Sequence, residues 1–465
     1  MARELATGLD GARLASFRDA FHGQVVLRDD DEFDSARRVW NGMIDRRPAL
    51  VVRPSRVADV QAAIRYGREE ELPIAVRSGG HSLPGLSTCD DGLVIDMSRM
   101  TSATVDPEQR TARVNGGALL AELDDAAQAF RLACPVGVVS HTGVAGLTLG
   151  GGVGRLQRKL GLTIDNLHAV ELVTADGRHV RASADDNPDL FWGLRGAGWN
   201  FGIATAFEFD LHPVEPTLTR ARFMHPGARA AEAFAVFRDF MATAPREITG
   251  LIVVFQALPV ADFPAEVAGG PVAMFSITHG GPPEVAERDL APLAGFGEPA
   301  LASVDPLPYL DVQRMFDDEQ AWGHRVYAKS VYVDAAPDAL IETMVEQAAG
   351  VPAAASLSMS ALGGAIADIP EDATAYAGRN AAFEIAVDGS WDDPQLDDEI
   401  IGWARRAMTR IEPFRTTGVY ANSMGEAGED VAGVIYGDTK YELLRALKRA
   451  WDPENVFRLN QNIQP

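Results

Sequence analysis

Apolar residues in the first half of the chain follow two alternating rhythms. The short unbroken run ALVVRP at 49–54 reads as a buried strand. It is followed by VADVQAAIRYGREEEL, where Val57, Val60 and Ile64 recur at helical spacing, and then by PIAVRSGG, a second strand entered through Pro73. Together they predict a βαβ unit. GLVIDMSRM and TARVNGG add strands, and ALLAELDDAAQAF is an amphipathic helix through Leu119, Leu123 and Phe130. HAVELVTADGRHVRAS reads as a hairpin turning at Asp176 and Gly177. DNPDLFWGLRGAG opens a helix with Asn187 as cap and Pro188 at its first position, and FGIATAFEFDLHPV closes this half as a strand.

After Pro213 the texture changes. Longer helical patterns such as ARAAEAFAVFRDFMATA alternate with the strand-like runs LIVVFQAL, VAMFSIT and RVYAKSVYV, predicting a second, α+β domain over 213–424 whose sheet can wall a pocket. The tail, YELLRALKRAWDPENVFRLNQNIQP, is an amphipathic helix, a turn at Asp452 and Pro453, and a polar end.

Composition narrows the possible roles. At 465 residues the chain is too long for one ordinary domain, and its net charge of −24 repels nucleic acid and anionic membrane surfaces. The first twenty residues lack the apolar core of a secretory signal and no run reaches membrane-spanning length, so a cytoplasmic protein is expected. The two cysteines, Cys89 and Cys134, form neither a disulfide framework nor a CxxC pair, and no HExxH or comparable set of metal ligands occurs.

Two glycine-rich stretches stand out: RSGGHSLPG at 77–85 and SHTGVAGLTLGGGVG at 140–154, the latter read as a loop because a helix tolerates so much glycine poorly. Neither is a Walker loop, and the nearest approach to GxGxxG, GAGWNFG at 196–202, misses by one residue. The residues alone leave two readings, tight turns without a ligand or a polyphosphate-bearing ligand cradled by backbone amides.

The order of the segments from residue 48 to the C-terminus resembles the FAD-linked oxidases of the vanillyl-alcohol oxidase type, with a PCMH-type FAD-binding domain, in the branch that contains berberine bridge enzyme and 6-hydroxy-D-nicotine oxidase. VVRPSRVADVQAAI, VRSGGHSLPGLS, VVSHTGVAGLTLGGGVGRLQRKLGLTIDNL, VTADGRHVRASADDNPDLFWGLRGAGWNFGIAT and the tail carry the likeness. The resemblance implies an α+β, two-domain fold: an FAD-binding domain over 1–212 made of two α/β subdomains, a substrate domain over 213–424 with an antiparallel sheet flanked by helices, and a segment 425–465 returning to the first domain. It also implies FAD bonded covalently to His81, with Arg77, Ser78, Gly79, Gly80, Ser82 and Gly85 around the pyrophosphate and flavin. Ser140, His141, Gly143, Val144, Gly146, Gly150, Gly151 and Gly154 would line the ring, Gly202 and Ile203 the adenine end, and Asn460 and Asn462 would close over the flavin. A second bond at Cys134 is not expected, because the cysteine of doubly linked relatives falls at the register of Val139.

By the same resemblance Tyr420 is the expected proton acceptor, with its phenol pKa lowered by nearby charge or hydrogen bonds, and Tyr309, Tyr327, Tyr332 and Tyr376 are alternatives. His324, Tyr327, Tyr332 and Arg379 are expected in the substrate pocket, and no metal is expected. The implied reaction is hydride transfer from a C–OH or C–N bond of a small ring-containing molecule to FAD, which O2 then reoxidises, in a monomer or homodimer. A dehydrogenase using another acceptor and a non-catalytic flavin carrier are the competing readings.

Overall fold

A computed structural model describes residues 9–259, 263–427 and 429–465. The first eight residues, part of the stretch read for a secretory signal, lie outside the described residues. Among the described residues there are three large sheets and a two-stranded one that pairs His212–Pro213 with Leu132–Ala133. In the first, strands Gln24–Leu27, Leu50–Arg53, Leu93–Asp96 and Ile74–Arg77 lie side by side in that order, the last three parallel. Helix Val57–Glu69 makes the crossover and buries Val60, Ala63 and Ile64 against the sheet, as its apolar spacing predicts. The edge strand Gln24–Leu27 was not read from the sequence, since four residues between charged segments carry too little periodicity.

The second sheet is antiparallel and five-stranded, with the 167–183 hairpin at one edge and strand Ile203–Asp210 at its centre. Helix Pro188–Ala197 starts at Asn187, as expected, although the Asn187 side chain donates to the Arg181 carbonyl instead of capping. The stretch read as a loop at 140–154 contains the short helix Val144–Leu149. Only Gly146 falls inside it. The other glycines flank it, with Gly151 and Gly152 at φ 129° and 83° ending the helix, while Val144, Ala145, Thr148 and Leu149 are buried and hold it.

The third sheet spans residues 217–391 as seven antiparallel strands and follows the expected helix-flanked pattern. Its two faces differ sharply. Ile252 pairs with Phe275 and Met359, Met359 with Ile385 and Ile385 with Val331, a continuous apolar row under helices Ala230–Met241, Asp338–Ala348 and Asp397–Ile411. One residue along, Leu251 pairs with Ser276 and Ser360, Ser360 with Glu384 and Glu384 with Tyr332. This second face is more polar, and part of it forms the wall of a cavity.

Candidate active site

The strand Ile74–Arg77 ends in the turn that carries His81, and Gly80 adopts φ 72° there. Gly79 lies against the other glycine stretch: a Cβ on it would stand 2.2 Å from the Gly143 nitrogen, and one on Gly143 would stand 2.2 Å from the Gly79 nitrogen. Two side chains are omitted so that two backbones can touch. The His81 ring stacks on Trp40 with centroids 4.6 Å apart, and its Nε2 lies 2.7 Å from Nδ1 of His141. Burial, reinforced by His141, lowers the His81 pKa to about 3, so the imidazole is neutral and keeps a nucleophilic lone pair at neutral pH.

The His81 ring forms part of the wall of a cavity of about 660 Å³. Ser78, Gly79, Gly80 and Ser82 line it from the first loop, Gly143 and Gly146 from the second, and Asn460 and Gln461 from the tail; Gly202, Ile203 and Tyr420 also face it. The buried side-chain oxygens of Ser78, Asn460 and Gln461 (Oγ, Oδ1 and Oε1) have no hydrogen-bond partner, and a Cβ on Gly146 would meet nothing. Unsatisfied polar atoms along a wide apolar cavity suit a long ligand with polar groups, and FAD fits that description. A larger surface groove, about 900 Å³, lies between helix Val57–Glu69 and Glu454 and shares Ile74 with the cavity lining; its Arg68–Glu454 pair balances charge within the wall, and it holds none of the expected site residues.

Several residues expected on the cofactor stand behind the cavity wall instead. Arg77 is buried, pairs with Asp96 at 2.7 Å and donates to the Ala36 and Arg38 carbonyls, tying the sheet to the preceding loop. Gly85, at φ 72°, packs on Ile44, and Val144 is a core residue. Gly150 faces the Trp199 ring, Gly151 the Tyr376 ring and Gly154 the Val136 carbonyl. Ser140 donates to Asp317 through both its amide and its hydroxyl, and His141 reaches the cavity only through His81. Asn462 is buried beside the cavity but not on its wall. Cys134 is fully buried away from the cavity, where burial raises its thiol pKa, whereas Val139 lines it.

The four residues expected around the substrate are also off the wall. His324 pairs with Asp392 at the surface, Tyr327 donates to Glu426 at 2.8 Å, and the Tyr332 and Tyr376 hydroxyls share a 2.6 Å hydrogen bond. Arg379 is completely buried and bonded to Asp165 and Thr374. Of the remaining alternative bases, Tyr309 is buried and donates to Asp124.

Tyr420 does face the cavity. Its oxygen accepts from the Gly152 and Val153 amides, both at 3.2 Å, and from the Asn422 side chain at 2.9 Å. The expected lowering of its pKa does not occur: three donors favour the phenolate, but burial dominates, raising the pKa to about 12. Asp388 was missed. It projects from strand Phe383–Trp391 into the cavity, accepts both contacts of the Ser356 hydroxyl at 2.9 and 3.1 Å, and is raised to about 6 by burial. The signal was present in FEIAVDGSW, where Glu384, Ala386, Asp388 and Ser390 alternate with apolar residues.

Comparison with known proteins identifies the family. Residues 48–183 match the FAD binding domain family and residues 420–464 the berberine and berberine-like family. An FAD-linked oxidoreductase of Dictyostelium discoideum is 30% identical over 455 residues, covering 97% of this chain and 96% of that protein. The (R)-6-hydroxynicotine oxidase of Paenarthrobacter nicotinovorans is 31% identical over 466 residues, covering 96% and 97%. The structure of Physcomitrella patens BBE-like 1 superposes with a TM-score of 0.87 at 25% identity, covering 97% of this chain and 99% of that one. The fold and site define an FAD-dependent oxidoreductase. The chain belongs to the berberine bridge enzyme-like branch of the vanillyl-alcohol oxidase family, and the expected two-domain fold is borne out. Among the described residues no helix is long and apolar enough to cross a membrane.

Proposed function

We propose that the protein is an oxidase that removes a hydride from carbon and a proton from the heteroatom, two electrons and two protons in all, at a C–OH or C–N bond of a small ring-containing substrate, with FAD attached covalently to His81. The observation that carries this reading is the position of His81, a neutral imidazole held between Trp40 and His141 on the wall of a cavity of about 660 Å³. FAD, when bound, supplies the hydride acceptor and passes the electrons to O2, giving hydrogen peroxide.

The chain's own residues supply positioning and proton handling. Backbone amides of the two glycine loops take the place of lysines in holding phosphate, since no lysine or arginine lines the cavity among the described residues. The His141 hydrogen bond fixes the His81 ring and occupies Nε2, which would leave Nδ1 as the nitrogen available to hold the cofactor. Tyr420 Oη is the proton-handling atom on the substrate side, because its three N–H donors stabilise the negative charge left when its proton departs. The relative named as a 6-hydroxynicotine oxidase makes a ring nitrogen compound a reasonable substrate model. Photoreduced holoenzyme mixed with air-saturated buffer should reoxidise within seconds and release one peroxide per flavin. Reoxidation over many minutes would assign the electrons to another acceptor.

A further inference from the structure

The lining of the cavity carries an electrostatic sign. Its only ionisable carboxylates among the described lining residues are Asp388 and Glu319, and neither lysine nor arginine faces it. Asp388 has no cationic partner: its contacts are the Ser356 hydroxyl on the neighbouring strand and the repulsive charge of Glu319. Four residues back on the same face, Glu384 is 7% exposed and lies beside the Ser330 and Ser423 hydroxyls, again without a cation, and Ser423 lines the cavity. Two buried arginines that do not line the cavity are engaged elsewhere. Arg155 sits over the Phe316 ring at 5.0 Å, and Arg220 is held by Ser276 and the Ile277 carbonyl.

A carboxylate kept in a sheltered cavity without a counter-charge is costly, and the cost is relieved when the ligand brings the cation. We infer that Asp388 is the substrate anchor and makes this cavity select molecules presenting a protonated amine, while neutral and anionic rings are disfavoured. The inference deepens the proposed oxidase by assigning its substrate class, and it rests on that reading only for the identity of the site. Because the amine needs an ionised Asp388, its affinity falls as the pH drops through about 6, where Asp388 takes up a proton. The titratable groups facing Asp388 are Glu319 and Glu384, both acidic, and Lys329 on the adjacent strand is turned away to Glu426.

The test is calorimetric titration of flavin-loaded holoenzyme with three flat probes of one shape: benzylamine, benzyl alcohol and benzoate. Benzylamine, charged at neutral pH, should bind at least ten-fold more tightly than benzyl alcohol, with benzoate weakest. Asp388→Asn should bring the amine and alcohol within two-fold of each other with flavin content unchanged, whereas Asp388→Glu should retain the preference. Equal or tighter binding of the alcohol or benzoate, or an Asp388→Asn protein that keeps the amine preference, would overturn the inference. Binding is read without turnover, so a holoenzyme that holds benzylamine through Asp388 yet oxidises nothing would refute the oxidase and leave the anchor standing.

Discussion

Tyr420→Phe should slow flavin reduction by about two orders of magnitude or more, the usual scale for loss of a proton-handling group. The measurement is anaerobic stopped-flow reduction with the best substrate found by peroxide release. The pH profile carries the sign. With the phenol raised to about 12, the reactive phenolate is scarce at neutral pH, so the wild-type rate climbs with pH through the alkaline range and shows no plateau below it. In the variant that climb should disappear. Phenylalanine also leaves the Gly152 and Val153 amides without their acceptor, so flavin content and thermal midpoint are measured alongside to separate a chemical effect from a structural one. An unchanged reduction rate would remove Tyr420 from the mechanism.

Arg379→Ala should destabilise the fold by about 3–5 kcal/mol, the range for breaking one side of a buried ion pair. Its guanidinium is wholly buried and bonds Asp165 twice, at 2.6 and 3.2 Å, with Thr374 as a further acceptor. Asp165 also accepts from the Leu162 amide and so fixes the turn after the triple glycine, 150–152. Removal of the arginine leaves that carboxylate without its cation. Denaturant unfolding reads the loss. Substrate preference should stay the same, because Arg379 does not reach the cavity; a changed preference at unchanged stability would return it to the substrate site.

The local motifs were legible because their meaning is local. RSGGH places a histidine at a turn after a parallel strand whatever the rest of the chain does, and the alternation in HAVELVTADGRHVRAS can form little but a hairpin. The helix Val144–Leu149 was hidden by its neighbours, since glycine content over fifteen residues averages a helical core with its flexible ends. Charged and aromatic candidates were harder to place because distant partners decide where they go. Arg77 is claimed by Asp96, Arg379 by Asp165, Tyr332 by Tyr376 and His324 by Asp392, and no spacing along the chain announces such pairs. Asp388 shows the converse. Its strand pattern was readable, but which face of that strand looked into the cavity depended on the register across the seven-stranded sheet, where Ser356 stands opposite Asp388.

Attachment of FAD to His81 is the claim on which the rest depends, and peptide mapping of the acid-denatured holoenzyme tests it most directly. The account predicts that flavin fluorescence and the added FAD mass travel with the single fragment containing His81, and that the fragments containing Cys134 and Val139 are unmodified. Flavin released on denaturation, or flavin found on the Cys134 fragment, would contradict it.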